Sequence, residues 1–189
     1  MTSEGEMKLL EIEKLKSHEE VIPEKLNSLI DEIKRDGVIK EPVIVDKETL
    51  VVLDGHHRVE ALRKLGCRLI PVLLVNYSDP SIRVERWYPV VKGEIKGLED
   101  IIRKWNELEV EYVRSVEEAI ELVEKGKFQA AVIFKSVSKE DVIKIGLSGE
   151  KYPPKTTRHV IPNRPRIEVP LEELYSNEIS RSGSFSKGK

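Results

Sequence analysis

Five consecutive residues, Asp54-Gly55-His56-His57-Arg58, place a carboxylate, a glycine, two imidazoles and a guanidinium directly after the apolar run Leu50-Val51-Val52-Leu53. That order predicts a strand, a tight turn and the start of a helix. The N–H groups of a first helical turn have no partner inside the helix, and the helix dipole adds positive potential, so such a turn takes an anion. Gly55 lets a phosphate approach the main chain closely. His56, His57 and Arg58 add donors, Arg58 in a bidentate way. Asp54 is the odd member: a carboxylate beside a phosphate needs a cation, and Mg2+ is the usual one. The plainer alternative is an N-capping Asp, a turn glycine and solvated basic side chains. Asp-Gly alone would favour that alternative; the three basic residues that follow favour a phosphate site.

Three other places carry chemistry of the right type. Ser17-His18-Glu19-Glu20 offers a carboxylate that could take a proton from a hydroxyl attacking a phosphate, although exposed glutamates before a helix are common. Residues 151–166 hold Lys151, Lys155, Arg158, His159, Arg164 and Arg166 with no acidic residue among them. Such a stretch suits an anionic partner, a carboxylate or a phosphate, and a solvated loop would explain it equally well. Trp87-Tyr88 reads by default as core packing. Cys67, the single cysteine, follows Gly66 and precedes an apolar run, so it reads as a small packed residue.

These side chains need a scaffold. With 189 residues, 39% apolar and 35% charged, the chain can bury a core and stay soluble. The formal net charge of −2 argues against a protein that coats nucleic acid. No apolar run approaches the roughly 20 residues a membrane helix needs, and Met1 to Lys8 lack the pattern of a secretory signal. The expected address is the cytoplasm. Richness in Lys and Glu, with Gln129 the lone glutamine, fits a thermophilic source.

Residues 9–17 contain a strand-like stretch. Pro23 opens a helix that shows Leu26, Leu29, Ile30 and Ile33 on one face and stops at Gly37. Pro42 to Val45 and Leu50 to Leu53 read as strands joined by a turn at 46–49. Val59, Leu62 and Leu65 form the apolar side of the helix after Gly55, and Leu69 to Val75 is a further strand. This α/β unit closes near residue 78. Beyond it, Leu98 to Leu108 is predicted helical. Ser115 and Glu118 form a capping box for a helix with Ala119, Ile120 and Val123 on its apolar face. Ala130 to Phe134 is predicted as a strand. The domain expectation is one lobe over 1–78, a second small α/β lobe over 79–175 with a loop at 151–166, and a disordered tail over 176–189.

Val52-Leu53-Asp54-Gly55-His56-His57-Arg58, followed by Ala61-Leu62 and Leu65-Gly66, resembles the phosphate motif of the ParB/sulfiredoxin-like superfamily. Ile33 to Ile39 and Pro42 to Val45 match the superfamily's helix-then-strand approach. The narrower resemblance is to the free-serine kinases, which phosphorylate L-serine to O-phospho-L-serine with ADP or ATP and supply cysteine biosynthesis or siderophore assembly. His18-Glu19 resembles the family's His-Glu pair, so the resemblance implies Glu19 as general base. Trp87 falls where the family places a serine-binding tryptophan. Thr156 to Pro165 resembles its C-terminal substrate loop, which implies substrate binding by Thr157, Arg158 and His159. Sulfiredoxins need a cysteine where this chain has His56. Chromosome-partitioning proteins carry a helix-turn-helix domain that residues 80–170 do not resemble.

The expectation is therefore a mixed α/β fold: a ParB/sulfiredoxin-like nucleotide-binding core with a second small α/β lobe, working as a serine kinase. Glu19 and Asp54 are the catalytic candidates, with Asp54 also the Mg2+ ligand. Gly55, His56, His57 and Arg58 hold the nucleotide phosphates. Trp87, Thr157, Arg158 and His159 hold the serine. L-serine and ADP or ATP are the expected partners, with no nucleic acid and no membrane, in a monomer or small homo-oligomer. The rivals are a ParB-class nucleotide-dependent DNA-binding or nuclease protein and a nucleotide-sensing regulator without turnover.

Overall fold

The computed structural model describes residues 4–175; the predicted tail, 176–189, lies outside the described residues. The chain runs β1 (Glu6–Glu11), α1 (Pro23–Asp36), β2 (Val38–Ile39), β3 (Val43–Asp46), β4 (Val52–Asp54), α2 (His56–Lys64), β5 (Leu69–Val75), β6 (Arg83–Arg86), β7 (Tyr88–Lys92), α3 (Leu98–Arg103), β8 (Glu109–Val113), α4 (Val116–Glu124), β9 (Ala130–Ala131), α5 (Lys139–Ser148), β10 (Thr157–Val160) and β11 (Val169–Pro170). It forms two compact units. The first holds residues 4–84, 138–154 and 159–175, and the second holds 85–137 and 155–158.

In the first unit four strands form one sheet in the order β1-β5-β3-β4. β3 runs parallel to β5, while β1 and β4 pair antiparallel at the two sides. β3 and β5 read Val-Ile-Val-Asp and Leu-Ile-Pro-Val-Leu-Leu-Val and are buried throughout, the continuous apolar pattern of strands covered on both faces. α1 begins with Pro23 at its first turn and ends at Gly37, which takes φ +69° and sends its N–H back to Ile33 O at 2.8 Å. Leu26 and Ile33 of α1 share a core with Val59, Ala61 and Leu62 of α2, and Cys67 joins it as the small packed residue expected. Leu62 is fully buried, so Leu62→Ala would cost about 2–5 kcal/mol.

The pairing of β3 with β4 shifts register between Ile44 and Val45, and Asp54 lies opposite Ile44. Asp54 therefore ends the strand, and Gly55 turns the chain directly into α2. This strand–turn–helix order is the one read from the sequence.

The division at residue 78 differs from the structure. Residues 138–154 and 159–175 return to the first unit and complete its core: Ile167, Val169 and Leu174 are buried there, and β11 pairs with β2. Gly146 of α5 packs so closely on Val51 that a Cβ would lie 2.7 Å from Val51 Cγ1. A cut at one point in the sequence misses this return, because the closing apolar residues are few and follow a basic stretch.

The second unit is a sheet in the order β8-β7-β9 with α4 against it, around Val90, Val113, Ala119 and Phe128. The Ser115 side chain caps α4 by accepting from Glu118 N–H at 3.2 Å. Two expectations need correction here. Ile120 is exposed, because the inward face is Ala119, Leu122 and Val123. The strand expected over Ala130 to Phe134 stops at Ala131. Val132 N–H still donates to Pro89 O at 2.9 Å, but Pro89 has no N–H to return, so the ladder ends. Phe134 remains 46% exposed, with the Arg86 guanidinium 4.6 Å from its ring centroid.

Candidate active site

Gly55 is the N-cap of α2 at φ +103°, and no side chain caps this helix. The first intrahelical bond runs from Val59 N–H to Gly55 O at 3.0 Å. The main-chain N–H groups ahead of that bond lie at the helix end, the geometry of an anion site. A Cβ at position 55 would lie 3.1 Å from Val43 Cγ2 and 3.2 Å from Arg58 Nη1, so both φ and space select glycine. Asp54 is not the cap; it is the last residue of β4. Its carboxylate is 43% exposed and paired with the Arg164 guanidinium.

Each of the two histidine side chains accepts a main-chain N–H through Nε2. His56 Nε2 accepts the main-chain N–H of His18 at 3.2 Å, and His57 Nε2 accepts that of Ile22 at 2.9 Å. Both rings thereby tether segment 18–22 to α2. Burial pushes the His56 pKa well below its ordinary value, so the ring is neutral and can serve as an acceptor. Arg58 spans the approach to the turn, donating to Pro42 O and to Glu41 Oε2, both at 3.2 Å.

His18 is fully buried. Its Nδ1 lies 2.6 Å from Val52 O, and burial pulls its pKa down to about 4. The ring is thus neutral at pH 7, with Nδ1–H donating to the carbonyl. The next residue, Glu19, has a side chain only 11% exposed, with its carboxylate 3.9 Å from His18 Nε2. Glu20 is exposed. The segment is held in place by Tyr152, whose N–H donates to His18 O at 2.8 Å and whose O accepts from Glu20 N–H at 2.9 Å.

The ligand atoms of His18, Glu19 and His56 lie within 4.8 Å of one another, a spacing that could hold a metal. Two imidazoles and one carboxylate suit a zinc-like ion, whereas Mg2+ prefers oxygen donors and keeps waters and substrate phosphates. The exposed Asp54 carboxylate is the donor type that fits Mg2+.

His159 closes the group. It is 6% exposed, its ring centroid lies 5.7 Å from that of His18, and burial pulls its pKa down to about 3. Its Nε2 bonds to Tyr77 Oη at 2.8 Å, and its carbonyl accepts from Arg164 Nη2 at 3.1 Å. Beside Arg58 a cleft of about 410 Å3 opens along α1 and β2, lined by Leu29, Ile33, Ile39, Glu41 and Arg166 among others. Its volume suits a small organic ligand.

The first unit thus brings together Glu19, Asp54, Gly55, His56, His57, Arg58 and His159. Trp87, Thr157 and Arg158 fall in the second unit, where Trp87 and Arg158 lie together. Arg158 pairs with Glu85, its guanidinium sits 5.7 Å from the Trp87 ring centroid, and Lys155 Nζ sits 4.8 Å from it. Tyr88 packs on the second core as expected, whereas Trp87 serves as a platform for cations. The sequence did not mark Tyr77 or Tyr152 for the site. The basic stretch contained a signal for Arg164; nothing in the local sequence marked Tyr77.

Residues 2–85 match the ParB N-terminal domain family. The chain is 29% identical to an ATP-dependent L-serine kinase of Staphylothermus marinus, with 88% of this chain and 90% of the relative covered. It is 28% identical to the ADP-dependent L-serine kinase SerK of Thermococcus kodakarensis, with 88% and 92% covered. A ParB-like protein of Sulfolobus acidocaldarius is 30% identical, with 77% and 86% covered. Among solved structures, a free serine kinase in complex with AMP superposes with a TM-score of 0.81 at 26% identity, covering 92% of this chain and 95% of the other.

Proposed function

The chain belongs to the ParB-like proteins and, among them, to the free serine kinases, and on that premise we propose that it transfers a phosphoryl group from ATP or ADP to the hydroxyl of L-serine. The observation that carries this reading is the bond between His18 N–H and His56 Nε2. It joins a sheltered carboxylate, Glu19, to a helix start built for an anion.

In this reading Glu19 takes the proton of the serine hydroxyl as that oxygen bonds to the terminal phosphorus. The bond from phosphorus to the bridging oxygen breaks, and ADP or AMP leaves. The Gly55 turn holds the phosphates through main-chain N–H groups, and Arg58 adds charge. Most of the acceleration would come from placement and charge stabilisation. The cleft beside Arg58 supports a place for the rest of the nucleotide. Asp54 would hold Mg2+, which neutralises phosphate charge when bound. His159 would bind the serine carboxylate or the transferred phosphate. Roles for Trp87, Thr157 and Arg158 in serine binding rest on the family resemblance, as does use of the product in cysteine biosynthesis. The net charge of −2 supports a small-molecule acceptor over nucleic acid. No helix among the described residues is long and apolar enough to cross a membrane.

The test is incubation with L-serine, Mg2+ and either ATP or ADP, followed by 31P NMR for O-phosphoserine. Product with either nucleotide supports the proposal. Nucleotide binding without product favours the regulator, and salt-sensitive DNA affinity favours the partitioning class.

A further inference from the structure

Tyr77 and His159 are a buried pair, 4% and 6% exposed, joined through Tyr77 Oη and His159 Nε2 at 2.8 Å. His159 Nδ1 is buried as well and has no hydrogen-bond partner. Two proton arrangements fit this geometry. If Nε2 carries the ring proton and donates to Tyr77, then both the Tyr77 proton and the bare Nδ1 are left without partners. If Tyr77 donates to Nε2, the proton sits on Nδ1, and only that N–H lacks a partner. Leaving a buried polar group unsatisfied is costly, so the second arrangement, with one such group instead of two, wins. Burial raises the Tyr77 pKa and lowers that of His159, which keeps both neutral and the phenol a donor.

Tyr77 is itself held on several sides. Its N–H donates to Asp46 Oδ1 at 3.4 Å. Lys139 Nζ donates to the carbonyls of Tyr77 and Asp79 at 2.8 and 2.9 Å. The phenol thus stands on a braced turn, which is what positioning another side chain requires.

We propose that Tyr77 is a positioning residue that locks His159 as its Nδ1–H tautomer, presenting a donor for an oxyanion of the substrate. This rests on the serine-kinase reading for the ligand's identity, while the tautomer itself does not. A free neutral imidazole in water favours the Nε2–H form, so the lock reverses the intrinsic preference. An Nδ1–H donates to carboxylate or phosphate oxygens and leaves that nitrogen no lone pair for a cation.

The test has an arm that needs no turnover. Long-range 1H–15N NMR of the ligand-free protein, with the His159 signals assigned by their loss in His159→Asn, reads the tautomer. The expected result is Nδ1–H in the wild type and a shift towards Nε2–H in Tyr77→Phe. Nε2–H in the wild type, or an unchanged tautomer in Tyr77→Phe, overturns the lock whatever the enzyme's activity. The second arm is kinetic. Losing a hydrogen bond to a charged group corresponds to at least about tenfold in affinity. Tyr77→Phe should therefore raise KM for serine or Ki for O-phosphoserine about tenfold, with a smaller effect on kcat. A loss on both ligands assigns the carboxylate; a loss on O-phosphoserine alone assigns the phosphate. A loss on neither removes the donor role. Because the Asn amide N–H can stand in for Nδ1–H, Tyr77→Phe should add little to His159→Asn, and a full additional tenfold loss there would also overturn the proposal. Absence of any phosphoserine with an Nδ1–H wild type would refute the kinase reading and leave the lock standing.

Discussion

The main-chain N–H of His18 donates to Nε2 of His56 at 3.2 Å, across 38 positions of sequence. His56 opens α2 at the phosphate turn, and His18 precedes Glu19, so this one bond sets the carboxylate's segment against the helix start. Removing the acceptor in His56→Ala leaves a buried N–H without its partner and should cost about 1–3 kcal/mol. Denaturant unfolding would measure it; an unchanged midpoint would show that the tether carries no stability.

Glu19 and Glu20 are adjacent and chemically identical, but only Glu19 is sheltered beside His18. Loss of a general base typically slows turnover ~100- to 10,000-fold. Glu19→Gln should bind nucleotide and serine normally and turn over at that reduced rate, while Glu20→Gln retains most activity. Both changes remove one negative charge, so a general electrostatic effect would strike both alike. An inactive Glu20→Gln beside an active Glu19→Gln would move the base by one residue.

Asp54 faces two demands, a pair with Arg164 and the proposed Mg2+. Asp54→Asn should lose most activity while the fold persists, and excess Mg2+ should restore part of it. Arg164→Gln should also weaken turnover, without any Mg2+ rescue. Wild-type rates for Asp54→Asn at ordinary Mg2+ would remove this carboxylate from the reaction.

Gly55→Ala tests the turn itself. Position 55 sits at φ +103° with Val43 Cγ2 and Arg58 Nη1 close to any added Cβ. Left-handed backbone costs an L-residue roughly 1–2 kcal/mol, before the crowding is counted. The variant should be less stable and bind ATP and ADP more weakly, as read by thermal unfolding and calorimetry. Undiminished nucleotide affinity would place the phosphates elsewhere.

Three buried histidines make stability depend on acid. Burial is the leading cause of the depressed pKa in each: about 4 at His18, about 3 at His159, and a downward shift at His56. An unfolded histidine titrates near 6.5, so below that pH the unfolded chain binds protons that the folded chain does not. Stability is therefore full above about pH 7 and falls as pH drops through 6.5 towards 4, and to about 3 for His159. The slope reaches about 1.4 kcal/mol per pH unit for each histidine. Urea unfolding at a series of pH values from 7.5 to 5 should show a plateau and then a decline. A flat profile would contradict burial of neutral rings.

Much of the first unit was legible because its signals are local. Pro23 and Gly37 bracket α1, the apolar run 69–75 is β5, and Asp-Gly between a strand pattern and a helix pattern marks the phosphate turn. Periodicity and turn chemistry act over a few residues and can be read without knowing what lies across the fold. The second unit was less legible. β7 owes its place to pairing on both sides, with β8 and β9, and Pro89 decides where one of those pairings stops.

The residue types of the site, the glycine at the turn and the identity of the neighbouring elements were determined by the sequence alone, because each depends on local covalent and conformational preference. The tertiary structure decided which of two adjacent glutamates is sheltered, that His56 and His57 receive main-chain N–H groups, that Asp54 pairs with Arg164, and that Tyr77 meets His159 across 82 positions. Those outcomes depend on burial and on contacts between segments far apart in the chain. Neither is encoded in any short window, since a histidine becomes a neutral acceptor or a locked donor only through the groups that folding brings against it.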